Sequence, residues 1–120
     1  MKERLFKAVK VNDLTWITGT SLQKTMQLSE TILQDLYLID DAEVLGDTIC
    51  DATGLLDKNN RPIFDSDIVI DDKGKKSIVV FNDGAYFYTD RQIRLHQSAA
   101  NFLEVIGNQF DNVRVIYDKQ

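Results

Sequence analysis

Apolar residues along this chain come in short runs, mostly at every second position, and no long stretch shows helical spacing. From Arg4 to Val11, Leu5, Lys7, Val9 and Val11 lie opposite Phe6, Ala8 and Lys10, and the β-branched and aromatic content predicts a strand. Asn12-Asp13 is the turn that follows. Leu14 to Thr20 is a second strand, completing an N-terminal β-hairpin and carrying the only tryptophan, Trp16, which is expected in the core. Between Ser21 and Asp41 two readings stand. Ser29 is placed to cap a short helix over 29–35, with Ile32, Leu33, Leu36 and Tyr37 on one face. Leu36, Leu38 and Asp40 also alternate with Tyr37, Ile39 and Asp41, as a strand over 36–40 requires. Glu43 to Leu56 reads as a further helical stretch broken at Gly46. Asp47 is placed to cap a short turn over 48–52, and Gly54 to stop it.

The stretch from Thr53 to Val69 organises the second half. Asp57-Lys58-Asn59-Asn60 is a turn signature, because Asn and Asp tolerate positive φ and bond back to their own backbone. Pro62 fixes its φ and pushes Arg61 extended, so the chain leaves straight into a strand over 63–70. Asp71-Asp72-Lys73-Gly74 predicts a hairpin turn, Ser77 to Phe81 a strand, Asn82-Asp83-Gly84 a second hairpin turn, and Ala85 to Thr89 an aromatic strand. This meander resembles the middle of a small SH3-like β-barrel. Leu103–Asn108 and Val113–Ile116 are the candidate closing strands, and 98–101 is a loop or one helical turn. The expected fold is therefore mainly β with minor α, in one domain over 1–120. An N-terminal lobe spans about 1–52 and a barrel-forming lobe about 53–117.

A length of 120 residues, 43% hydrophobic and 28% charged, suits an ordinary globular chain. No apolar run approaches the ~18 residues of a membrane span. Met1 to Phe6 lacks the apolar core of a signal peptide, so a cytoplasmic protein is expected. Cys50 is the single cysteine, flanked by Asp47 and Asp51; it reads as a small apolar residue rather than a reactive thiolate. Between residues 21 and 56 only Lys24 opposes Glu30, Asp35, Asp40, Asp41, Glu43, Asp47 and Asp51. That acidic middle reads chiefly as a solvated face and disfavours unassisted duplex binding.

Three sequence blocks resemble a known family. Thr53-Gly54-Leu55, Asp57-Lys58-Asn59, Ile63-Phe64 and Asp67-Ile68-Val69 form the first. Leu103 to Asn108, with Ile106-Gly107-Asn108 at its end, forms the second. Leu5-Phe6-Lys7-Ala8 with Trp16-Ile17-Thr18-Gly19 forms a looser third. In this order they are similar to the YopX family, small proteins of phages and prophages in Gram-positive bacteria. The chain departs from that pattern at Ala52, where the family has an aromatic, at Asn60 and Ser66, where it has glycine, and near Val113, where it has proline. Asn60 can replace a turn glycine because it too visits the left-handed region; Ser66 has less of that latitude. The resemblance implies a phage accessory protein in the host cytoplasm, with no established chemistry attached to its motif.

The residues themselves supply no catalytic set. His96, the only histidine, lies between Leu95 and Gln97 with no ligand or nucleophile motif around it. Asp40-Asp41 lacks a third ligand at metal spacing, and the glycines are isolated turn residues rather than a phosphate loop. No enzyme activity, metal or cofactor is expected. Asp65 and Asp67 would share one strand face if extended; Asp67 is read instead as a clasp on the preceding turn's amides. The concentrated positive groups are Lys73, Lys75, Lys76, Arg91 and Arg94. Beside Tyr86, Phe87 and Tyr88 they form a candidate single-strand nucleic-acid face. The leading expectation is a non-enzymatic protein acting through contacts with a protein partner or with a second copy of itself. The alternatives are a nucleic-acid-associated regulator using that face, and an acidic decoy of a host DNA-binding protein using residues 30–51.

Overall fold

The computed structural model describes residues 4–24, 35–88 and 93–113. They form a mainly β protein with one short helix, and the chain divides into two compact units. Unit one comprises 1–51 and 112–120; unit two comprises 52–111.

In unit one, β1 (Phe6–Val9) pairs antiparallel with β2 (Trp16–Gly19), Phe6 opposite Gly19 and Val9 opposite Trp16. A second antiparallel sheet has the order β3 (Leu22–Lys24), β4 (Leu36–Ile39), β5 (Ala42–Leu45). The β4–β5 turn is made without glycine: Asp40 and Asp41 sit at φ 47° and 75°, the mirror-image turn that matches strand twist. A 3-10 turn at Gly46–Thr48 follows, and β6 (Cys50–Leu56) begins by pairing Cys50 and Asp51 with Lys7 and Phe6. The helix expected over 43–56 is thus two strands and a tight turn. Its helix-forming residues are overridden because Val44 and Leu45 bury completely opposite Tyr37 and Leu36. The helix considered over 29–35 falls almost wholly outside the described residues; the strand expected after it is β4.

Unit one's core has two clusters. Phe6, Ala8, Ile39 and Val44 form one; Val9, Leu36 and Leu45 form the other, with Trp16, Val11 and Val113 packed against it. Trp16 is half-buried there, with the Lys7 ammonium 4.8 Å from its ring centroid. The thiol of Cys50 is fully buried and donates to the Thr48 carbonyl at 3.3 Å.

In unit two the rest of β6 pairs with β7 (Pro62–Phe64), broken by a register shift between Ala52 and Leu56. Gly54 sits in that shift at φ 84°. A Cβ there would touch nothing, so backbone conformation rather than space calls for glycine. β8 (Asp67–Ile70) is the centre of an antiparallel sheet, between β9 (Lys76–Ile78) and β13 (Glu104–Asn108). A separate sheet has the order β10 (Val80–Asn82), β11 (Ala85–Tyr88), β12 (Ile93–Arg94). The helix α1 (Gln97–Ala100) is a single turn. Ile63, Val69, Val79, Leu95, Ala100 and Leu103 make the core.

The strand expected over 77–81 divides at Val79. Its amide donates to the Asp67 carbonyl (2.9 Å) and its carbonyl accepts from the Ser66 amide (2.7 Å), and its side chain is fully buried. The chain therefore leaves one sheet and enters another at that residue. Among the described residues of unit two the pairings give two three-stranded sheets beside the β6–β7 pair, and no ring of strands closes as an SH3-like barrel would require.

Candidate functional site: buried clasps and an open groove

The first-motif turn is closed by one carboxylate. Asp57 is buried; its Oδ1 accepts from the amides of Asn59 and Arg61 at 2.9 Å each, and its Oδ2 from the Val105 amide at 3.0 Å. Arg61 Nε lies 3.9 Å from the same Oδ2. Burial pushes this carboxyl's pKa up, but the three amides and the Arg61 charge outweigh it, and the net value lies below the ordinary carboxylate range. The surrounding turn also docks on residues 103–105. The Lys58 amide donates to the Leu103 carbonyl (2.9 Å), Arg61 Nη2 to the Val105 carbonyl (3.0 Å), and Asn59 Nδ2 to Glu104 Oε2 (3.4 Å).

Asp67 and Asn108 form a second clasp. Asp67 is fully buried; its Oδ2 accepts from the Phe64 amide (2.8 Å) and its Oδ1 from Asn108 Nδ2 (2.9 Å). Asn108 Oδ1 in turn accepts from the Phe110 amide, while the Asn108 amide donates to Asp111 Oδ2, both at 2.9 Å. Two turns distant in sequence are tied through one side-chain pair. Asp65 does not share a strand face with Asp67. Ser66 between them sits at φ 66° in a turn, so the extended geometry an i, i+2 pair needs is absent.

The other motif residues are placed by backbone demands. Thr53 Oγ1 accepts from the Leu55 amide (3.1 Å) across the β6 irregularity, and Leu55 packs against the core. Ile106 occupies the register shift of β13 and stands 45% exposed. A Cβ on Gly107 would lie 3.0 Å from Asp111 Oδ2, so the close approach of that carboxylate favours glycine. Asn60 and Ser66 both have positive φ, 62° and 66°. Sequence reasoning missed Gln97, whose side-chain amide copies a strand partner. Its Nε2 donates to the Leu56 carbonyl (2.8 Å) and its Oε1 accepts from the Leu56 amide (3.2 Å).

The basic-aromatic face is distributed differently. Lys73 and Lys75 lie in the β8–β9 turn, with Lys76 opening β9; Arg94 lies on β12, and Arg91 is outside the described residues. Tyr86 and Tyr88 are half-buried against the core of unit two, and Tyr86 meets Phe81 edge-on with centroids 5.0 Å apart. Among the described residues the exposed aromatics are instead Phe81 and Phe102, 58% and 64% accessible. Next to the turn lies a groove of about 520 Å³. Tyr88, Ile93, Ala99, Phe102 and Leu103 line it together with Asp71, Asp72, Lys73 and Lys75. Among the described residues, no group of three or more His, Cys, Asp or Glu side chains could hold a metal ion. No helix among them is long and apolar enough to cross a membrane.

The fold and its clasps define a small, mainly β protein whose motif carboxylates are bound to backbone amides inside the structure. The chain belongs to the YopX family: residues 3–116 match the YopX protein. Its architecture is similar to the crystal structure of protein EF1440 from Enterococcus faecalis, with a TM-score of 0.62 at 21% sequence identity over 93% of this chain and 96% of that one. That likeness extends to the fold. No curated protein matches the chain.

Proposed function

We propose that this chain is a non-enzymatic accessory protein of a phage or prophage, working in the host cytoplasm through contacts with other protein surfaces, a second copy among them. The observation that carries this reading is how polar and apolar groups are spent in unit two. Asp57, Asp67 and Asn108 turn inward and are consumed by hydrogen bonds, whereas Phe81, Ile93, Phe102 and Ile106 stand exposed. Carboxylates saturated by amides are poor candidates for acid–base work, and exposed large apolar side chains are what protein contacts use. The nucleic-acid alternative has less support, because Tyr86 and Tyr88 offer little free ring face for stacking.

The test is affinity capture of the tagged full chain from host lysate, with and without nuclease, in parallel with sedimentation of the purified protein. A stoichiometric protein partner that survives nuclease, or a concentration-dependent oligomer, agrees with the reading. Partners that vanish with nuclease transfer the function to nucleic acid.

A further inference from the structure

We propose that the groove between the Asp71–Lys75 turn and Phe102 docks an extended peptide of a protein partner. An aromatic or large aliphatic side chain of that peptide packs on the exposed Ile93 and Phe102, and an adjacent acidic side chain meets Lys73 and Lys75. This rests on the protein-contact reading above and names the surface and the chemistry of the partner.

The charge at the rim is the first argument. Asp71 Oδ1 accepts from the amides of Lys73 (2.9 Å) and Lys75 (2.8 Å), so that carboxylate closes its own turn. The Lys73 and Lys75 ammonium groups are exposed and make no ion pair among the described residues, and Lys76 follows them. Asp72 also lines the groove and repels a uniformly acidic chain, so a single acid on the ligand suits the two lysines. An apolar residue beside one acid fits this pattern better than a phosphate-rich strand does.

The openness of the groove is the second. Its volume falls in the range of about 300–1,000 Å³ that ligand sites occupy, yet such sites enclose most of a small molecule's surface. Here Phe102 is 64% and Ile93 45% exposed, so a free small molecule would remain largely wet. A peptide is held along its length and needs only its anchor side chains covered. The third argument is the edge: among the described strands β12, which carries Ile93, pairs with β11 alone, the strand arrangement to which an extended peptide can add.

The test selects a displayed random dodecapeptide library against the full chain, then measures enriched peptides by fluorescence anisotropy. Three folded variants serve as comparisons: Phe102→Ser, Lys73→Glu with Lys75→Glu, and Phe81→Ser as an off-groove control. Enriched peptides are expected to pair an aromatic or aliphatic residue with an acid within three positions. Phe102→Ser should weaken them at least about tenfold, and the lysine reversal should do so in a salt-dependent manner, while Phe81→Ser leaves them unchanged. No enrichment, acid-free peptides, or equal binding to the Phe102 and Phe81 variants would overturn the proposal. So would a single-stranded oligonucleotide that competes for Lys73 and Lys75, or self-association abolished by Phe102→Ser, each assigning the groove to another occupant. A nuclease-resistant partner captured equally by wild type and Phe102→Ser removes the groove and leaves the protein-contact reading standing. The absence of any protein partner removes the reading itself.

Discussion

Unit one secures a buried backbone amide with a hydroxyl. The Val9 amide donates to Thr48 Oγ1 (2.9 Å), and that hydroxyl donates onward to the Leu45 carbonyl (2.8 Å), all of it buried. Unit two does the corresponding work with the buried carboxylates Asp57 and Asp67, which together accept from the amides of Asn59, Arg61, Val105 and Phe64. A hydroxyl both donates and accepts, so it can bridge two backbone groups at little desolvation cost; a carboxylate only accepts, more strongly, and is costlier to bury. The difference follows the turns. Where the chain must gather several amides pointing at one spot, only an anion accepts them all. The exposed surface differs as well: Leu14 is the one exposed large apolar side chain among unit one's described residues, while unit two shows several.

The largest test of this contrast is Asp67→Ala. It leaves the Phe64 amide and Asn108 Nδ2 buried without their acceptor, and should cost about 3 kcal/mol in urea unfolding. An unchanged midpoint would show that the carboxylate is not the clasp. Thr48→Val keeps the volume in unit one but removes the acceptor for Val9, and about 1–2 kcal/mol should be lost. If the two substitutions cost the same, the contrast between hydroxyl and carboxylate has no energetic content. Ser66→Gly relieves a left-handed residue and should raise stability by about 1 kcal/mol, measured as a higher unfolding midpoint.

The smallest effect is the pH dependence of the Asp57 turn. Its folded pKa lies below the unfolded value of about 3.9, so its contribution is complete above that value and drains away as pH falls through the lowered one. Exchange at the Val105, Arg61 and Asn59 amides should therefore report easier opening below about pH 4. Asp57→Asn should flatten that dependence.

Legibility in the sequence tracked turn chemistry. Asp83-Gly84 and Lys73-Gly74 advertise their hairpins, because glycine takes positive φ freely, and both turns are where they were expected. Asp40-Asp41 makes an equivalent turn with no glycine to announce it, so the residues after it read as helix rather than as the return strand β5. Val79 sits in an unbroken apolar run, and nothing local reveals that its two backbone groups are claimed by Asp67 and Ser66. The site residues show the same divide. The acceptor role of an Asx turn at Asp57 is local and can be read from Asn59 and Asn60 beside it. The Asp67–Asn108 pair spans 41 positions and has no local signal. Tyr86 and Tyr88 look like a binding face because alternation cannot say which side of a strand meets the core.

That long reach has a consequence for how the chain emerges during synthesis. Asp57 waits for an amide 48 positions later, and Asp67 for a side chain 41 positions later. Unit one, whose chain leaves at residue 51, receives Val113 against Val9, Leu36 and Leu45 only afterwards. Asp57 and Asp67 hold their neighbouring amides early, but each clasp closes across the unit only once residues 105–108 have been made.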